Sequence, residues 1–235
     1  MPVYQLDVDD CWFPPVSEAL DDPQGLLAVG GDLSVPRLLY AYQQGIFPWF
    51  SEQDPILWWA PSPRMVVAPD QVHVSRSMAK FIRKTALVVT FDHAFERVVH
   101  ACGSAPRTDK CSTESWITAD MQCAYTQLYR GGYAHSVEVW DGGELVGGLY
   151  GVALGCVFFG ESMFSRTDNA SKLAFIHLAQ HLSQWGFVLI DCQMFTSHLA
   201  SLGATEIPMP EFQISLEKNL SYGVDSRWGL VVKSC

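Results

Sequence analysis

Apolar positions recur along the chain with two spacings, one suited to strands and one to helices. Val137, Val139, Leu145, Leu149 and Val157 give the apolar and β-branched content of strands, and Asp141-Gly142-Gly143-Glu144 is a hairpin turn signal. The run Phe187-Val188-Leu189-Ile190 has no polar alternation, which suits a strand buried on both faces that releases polar groups at Asp191-Cys192-Gln193. A helix is predicted between them. Asp168 or Asn169 can cap it, Phe175, Leu178, Ala179, Leu182 and Trp185 share one face, and Gly186 ends it. Three strands, a helix and a buried strand form the core of an α/β domain.

Upstream, Ser34 caps a short helix with Pro36 in its first turn, Leu38, Leu39 and Tyr42 on one side, and Gly45 at its end. Pro48, Pro55, Pro61 and Pro63 then hold the chain to extended or turn structure, and a domain boundary is placed near Pro63, giving units 1–63 and 64–235. Residues 73–84 read as a helix, with Met78, Phe81 and Ile82 inward and Arg76, Lys80, Arg83 and Lys84 outward. A strand at 87–91, a helix capped by Asp92 and a polar loop at 103–110 follow. Met121, Ala124, Tyr125 and Leu128 align on a further helix that stops at Gly131-Gly132.

The 235 residues are 49% hydrophobic, ample for a core. No apolar stretch reaches the roughly 18 residues of a membrane span. The start, Met1-Pro2-Val3-Tyr4, lacks the pattern of a secretory signal. Seven cysteines without a Cys-x-x-Cys pair suggest neither a zinc ribbon nor a disulfide framework. A reduced, cytoplasmic protein is expected. The net charge of −10 on its own argues against nucleic acid, but the charges are unevenly spread. Residues 61–110 carry eight bases and four acids, while 1–60 carry nine acids and one base. A local basic patch on an acidic protein can hold a phosphate backbone while the remaining surface repels nonspecific contact. A merely solvated helix face would look the same.

Several arrangements tempt and fail. His177 and His181 have the spacing of a helical zinc site but lack the intervening glutamate and a third ligand. Gly160-Glu161-Ser162 starts like a nucleophile elbow without its second glycine. Cys192, pointed away from Asp191 and Gln193 by strand alternation, reads as a core cysteine. The same alternation aims Asp191 and Gln193 to one side at the end of a buried strand, where ligands of open α/β sheets sit. Glu161, preceded by glycine, ends another candidate central strand. A carboxylate and an amide converging there suit binding an amine or relaying its proton. A buried Asp191 capping the following turn is the competing reading. Trp49, between Pro48 and a polar loop, is the ring best placed to be presented to a ligand.

Taken in order, Gly25-Leu26-Leu27-Ala28-Val29-Gly30-Gly31-Asp32, Gly45-Ile46-Phe47-Pro48-Trp49-Phe50, Trp58-Trp59-Ala60-Pro61, His73-Val74-Ser75-Arg76-Ser77, Trp116-Ile117, Phe159-Gly160-Glu161-Ser162-Met163-Phe164-Ser165 and Leu189-Ile190-Asp191-Cys192-Gln193 resemble the leucyl/phenylalanyl-tRNA–protein transferases. The resemblance implies a small N-terminal domain followed by an acetyltransferase-like (GNAT-type) domain with a mixed central sheet. It implies transfer of Leu or Phe, with Met a third candidate donor, from aminoacyl-tRNA to the α-amino group of proteins beginning with Arg or Lys, creating a degradation signal of the N-end rule. Trp49 and Trp116 would sandwich the terminal adenine, and Leu149, Phe158 and Met163 would line the side-chain pocket. Leu149 stands where some members have methionine, a nearly volume-conserving change. Asp191 and Gln193 would assist the attacking amine while Glu161 holds the reacting ends, and Arg76, Lys80, Arg83 and Lys84 would hold the acceptor backbone. No cofactor and no metal are implied, and a monomer is expected. An ordinary CoA-dependent N-acetyltransferase would need a glycine-rich loop opening the helix, where Arg166-Thr167-Asp168-Asn169-Ala170-Ser171 stands instead. A non-catalytic tRNA- or degron-binding module would not need the polar trio.

Overall fold

A computed structural model describes residues 3–104, 116–223 and 228–233 of the chain. β1 (Tyr4–Leu6) lies parallel to β2 (Leu26–Gly30). After α1 (Val35–Gln43), β3 (Phe47–Pro48) and β4 (Leu57–Trp59) complete a four-stranded sheet in the order β1-β2-β4-β3. Pro48 sits on the edge strand, where its missing N–H costs no ladder bond. The chain continues through β5 (Arg64–Val67), α2 (Arg76–Lys84), β6 (Val88–Phe91), α3 (Phe95–Ser104) and α4 (Ala119–Arg130). The meander β7 (Ala134–Asp141), β8 (Glu144–Leu154) and β9 (Val157–Ser165) follows, then α5 (Ala170–Gln184) and β10 (Leu189–Gln193). Last come α6 (Ser197–Ser201), β11 (Thr205–Ile207), α7 (Met209–Asn219) and β12 (Val231–Lys233).

Among the described residues the second sheet has eight strands, ordered β11-β5-β10-β9-β8-β7-β6-β12. It is mixed: β9 and β10 run parallel, joined by the α5 crossover, and the other neighbours run antiparallel. The β7–β8 hairpin closes at Asp141↔Glu144 on Gly142 and Gly143, with φ of 54° and 94°, which is why two glycines stand there. The core on one face joins α1, α3, α4 and α7 to the small sheet, and Tyr42 of α1 meets Phe159 of β9 at 5.1 Å between ring centroids. The two sheets therefore share one hydrophobic core. Apolar residues of α2 and α5 cover the other face.

Local details depart from the sequence expectations. The helix expected over 73–84 begins at Arg76, where the Ser75 side chain accepts from the Met78 amide. α3 runs through Gly103 and Ser104, positions expected to open the polar loop. The rest of that loop lies in 105–115, outside the described residues. Asp92 does not cap α3. Its left-handed backbone, φ 59°, turns it to β7, where its carboxylate takes the Ser136 amide at 2.8 Å and lies 2.7 Å from His135 Nδ1. Glu138 of β7 instead accepts from the His93 and Ala94 amides at 3.4 and 3.3 Å, placing a buried carboxylate at the helix's positive end. Asn169 precedes α5 in a left-handed conformation without a side-chain cap.

His177 of α5 is buried, and neither ring nitrogen has a hydrogen-bond partner among the described residues. Burial pushes its pKa down to about 4. Below the ordinary value near 6.5 the unfolded chain binds a proton that the folded imidazole refuses, so stability is lost as pH falls toward 4. His177→Leu is expected to reduce the stability lost between pH 7 and pH 4.5 by about 2–3 kcal/mol, read from urea midpoints at the two pH values. Equal losses in the two proteins would show that another group carries the acid sensitivity.

Candidate active site

β9 and β10 pair from Leu189↔Val157 to Asp191↔Phe159, yet β9 runs on to Ser165. The strands therefore part beyond Asp191, and a cavity of about 640 Å³ opens there. Two bulges shape its edge. Opposite β8, Tyr150↔Ser162 is followed by Gly151↔Gly160, which leaves Glu161 as the extra residue. Opposite β5, Asp191↔Val66 is followed by Gln193↔Met65, which leaves Cys192 as the extra residue. An inserted residue re-aims its neighbours, and Gln193 takes a left-handed φ of 62°. The strict alternation that would project Asp191 and Gln193 to one side does not hold here.

Asp191 is fully buried, and its two oxygens accept from Arg64 Nε at 2.8 Å and Nη2 at 2.6 Å. The oxygen facing Nε also takes the Gln193 amide at 2.9 Å. Arg64, equally buried, lies over the rings of Phe47 and Phe212, 4.7 and 4.9 Å from their centroids. Planar guanidinium fits both the bidentate carboxylate and the flanking rings, which an ammonium would not. The Gln193 side chain reaches the other carboxylate, its amide donating to Glu161 Oε1 at 3.1 Å.

Glu161 has no cation within salt-bridge distance among the described residues. Tyr125 donates to its Oε2 at 2.6 Å, and the Tyr42 hydroxyl lies 2.5 Å from that of Tyr125. Burial pushes the Glu161 carboxyl up to about 7, with the tyrosine hydrogen bonds acting the other way. A carboxyl that titrates near neutrality can take or return a proton under ordinary conditions. Burial also lifts the Cys192 thiol far above its usual range, so that side chain is packed rather than poised to attack.

The other site candidates divide in two. Trp49, Trp116, Leu149, Phe158 and Met163 all line the cavity, with Phe175, Leu178 and Ile190 adding to its apolar wall. Trp49 is fixed from behind: its carbonyl accepts from the Trp59 indole at 2.6 Å and the two rings meet edge to face. Arg76, Lys80, Arg83 and Lys84 are exposed on α2 and are not among the lining residues. Among the described residues no group of three or more His, Cys, Asp or Glu is placed to hold a metal ion, and no helix is long and apolar enough to cross a membrane.

Residues 66–217 match the family model described as leucyl/phenylalanyl-tRNA protein transferase, and 31–62 match that family's N-terminal domain. The chain belongs to this family. A leucyl/phenylalanyl-tRNA–protein transferase of Pseudomonas syringae pv. syringae is 56% identical over 216 residues, covering 92% of this chain and 93% of the relative. One from Nitrosospira multiformis is 59% identical over 213 residues, 91% of this chain and 90% of the relative. Among solved structures, a GCN5-related N-acetyltransferase from Kribbella flavida aligns with a TM-score of 0.38 at 14% identity, covering 73% of this chain and 60% of that one. So distant a likeness carries no functional inference.

Arg64, Tyr42 and Tyr125 had no assigned role at the site from sequence. A signal for Arg64 existed: one base in the strand run Arg64-Met65-Val66-Val67, all four buried, requires a buried acid elsewhere. Nothing comparable marks the tyrosines, whose spacing is that of ordinary core positions. Breaking a buried pair strands the surviving charge, at about 3–5 kcal/mol. Arg64→Met and Asp191→Leu are each expected to lose stability on that scale, and the variant carrying both to recover much of it. Equilibrium urea denaturation of the three variants decides, and additive losses would mean the pair is not coupled.

Proposed function

We propose that the chain transfers Leu or Phe from aminoacyl-tRNA to the α-amino group of proteins beginning with Arg or Lys, as a cytoplasmic monomer. The observation that carries this is one cavity joining an apolar wall, two tryptophans and a polar corner of Glu161, Gln193 and Asp191. Leu149, Phe158 and Met163 would receive the aminoacyl side chain. Trp49 and Trp116 would stack the terminal adenine, an interaction worth ~1–3 kcal/mol per base and indifferent to the tRNA's sequence. In the reaction the acceptor nitrogen attacks the ester carbonyl carbon, the C–N bond forms, and the C–O bond to ribose breaks. The nitrogen sheds a proton and the ribose oxygen gains one.

The geometry supports a division of labour within the trio. Asp191, with both oxygens on Arg64, holds Gln193 in its left-handed turn. Gln193 offers its amide to Glu161, and Glu161 is the group whose titration lies near neutrality. Asp191 thus assists through Gln193, and the proton passes by way of Glu161. On this reading residues 64–235 hold the chemistry, and residues 1–63 supply Trp49 from the β3–β4 connection and Tyr42 from α1.

Labelled leucine on leucyl-tRNA should pass to an Arg-starting peptide and not to an Asp-starting one, with acetyl-CoA giving no product. Trp49→Ala should raise the KM for the donor by the roughly five- to 150-fold that ~1–3 kcal/mol of base stacking is worth, with the rate at saturating tRNA largely kept. Acetyl transfer without leucyl transfer would replace the reading with the CoA-dependent one.

The exposed cations of α2 give a second test. Every phosphate left without its cation should flatten the slope of log K against log salt by roughly 0.7–0.9. Replacing Arg76, Lys80, Arg83 and Lys84 with Gln is expected to reduce the slope for aminoacyl-tRNA binding accordingly. An unchanged slope would remove this helix from the tRNA face.

A further inference from the structure

The Phe158 ring lies against Gly151 of the neighbouring strand, so closely that a Cβ built there would stand 2.6 Å from its Cε1 and Cζ. The ring then meets Trp228, with centroids 6.2 Å apart and planes inclined by 30°. Trp228 comes from the segment before β12, beyond the residues that the family models match. It is held firmly. Its ring stacks on His135 at 3.8 Å with planes 5° apart, and His135 Nδ1 lies 2.7 Å from the Asp92 carboxylate. Trp185 closes on it edge to face at 5.0 Å, and Phe91 lies at 6.1 Å.

We infer that Trp228 is a specificity-determining positioning residue, backing Phe158 and so fixing the depth of the pocket that receives the donor's side chain. The inference rests on the reading of the cavity as the aminoacyl pocket. Phe158 lines that cavity, while Trp228 does not, so Trp228 acts through Phe158. Protein interiors are packed too densely for a ring to swing unless a neighbour leaves. Gly151 bars Phe158 from moving toward the sheet, and Trp228 bars it from moving along the sheet toward β7. Without Trp228 the ring gains the second direction. The pocket deepens, a phenyl side chain gains room, and a leucyl side chain no longer touches the wall as fully. Discrimination at this scale, about one methylene of fit, is worth on the order of tenfold.

The measurement is kcat/KM for phenylalanyl-tRNA against leucyl-tRNA, with an Arg-starting acceptor peptide, in the full chain. Trp228→Ala is expected to raise the phenylalanyl-to-leucyl ratio by about tenfold, mainly through a higher KM for the leucyl donor. Trp228→Phe, which keeps an aromatic ring against Phe158, should return the ratio toward wild type. A merely structural role would lower both donors together and leave the ratio unmoved, and that result in a variant shown by thermal unfolding to be folded overturns the inference. If Trp228→Ala does not fold, Trp228→Leu keeps apolar bulk but shortens the wall. A ratio for Trp228→Leu equal to wild type overturns the inference equally. Failure of the wild-type protein to transfer either residue would overturn the aminoacyl reading of the cavity, whereas an unshifted ratio on an active enzyme overturns the role of Trp228 alone.

Discussion

Two opposite charges with no exposed surface, Arg64 and Asp191, set the geometry on which the site depends. Each would be costly to bury alone, and their bidentate contact satisfies four of the strongest hydrogen-bonding groups in the region. The pair joins β5 to β10 where β10 is about to leave β9. Because Asp191 is held to one side by Arg64 and also takes the Gln193 amide, the chain beyond it cannot continue as a regular strand. The bulge at Cys192 and the left-handed turn at Gln193 follow from that. The parting of β9 and β10 then makes the cavity. Phe47 and Phe212, both packed against the guanidinium, bring the N-terminal sheet and α7 to the same point.

With the Asp191 charge met by Arg64, the site holds one carboxyl without a cation, and it is Glu161. Its place on the β9 bulge turns it into the core instead of along the strand. Hydrogen bonds from Tyr125 and Gln193 satisfy both oxygens without neutralising the charge, and burial keeps the proton affinity high. The sign of that shift matters for stability. Glu161 gains a proton more readily folded than unfolded, so its contribution is full below the usual carboxyl range and is lost as pH rises through about 7. A group tuned to exchange protons thus stabilises the fold least at the pH where it would work, a common tension at sites of proton transfer.

Much of this was legible in the sequence because the elements concerned are long and regular. The Gly142-Gly143 hairpin and the α5 face each follow from one spacing rule, and the structure places them so. The polar end of β10 lies where expected but without the expected alternation. The site residues named from resemblance fall on one cavity, except the α2 cations. What escaped is what a local pattern does not encode. A strand's period of two says nothing of a one-residue insertion, so neither bulge was foreseen. Asp92 has the chemistry of a cap, but a carboxylate from β7 took that place because pairing with β6 brings Glu138 opposite Thr90. The partner of Arg64 lies 127 residues away in the chain. Only the fold supplies such a neighbour.

On the proposed reading, the cavity wall would separate two kinds of recognition that need different rigidity. Stacking a nucleobase asks only for a flat, fixed ring, and Trp49 is fixed by its own backbone's bond to Trp59. Choosing among apolar side chains asks for a wall whose depth is set to within a methyl group, and a methyl group is worth little unless the wall cannot yield. Met163 bends easily, having three rotatable bonds. Phe158 does not, because Gly151 lies close against its ring and Trp228 stacks beside it at 30°. The rigid part of the pocket is therefore built from the sheet outward to the C-terminal segment, while the flexible part faces the opening strands. If the cavity is the aminoacyl pocket, selectivity for the donor's side chain would depend in part on Trp228, which does not line it.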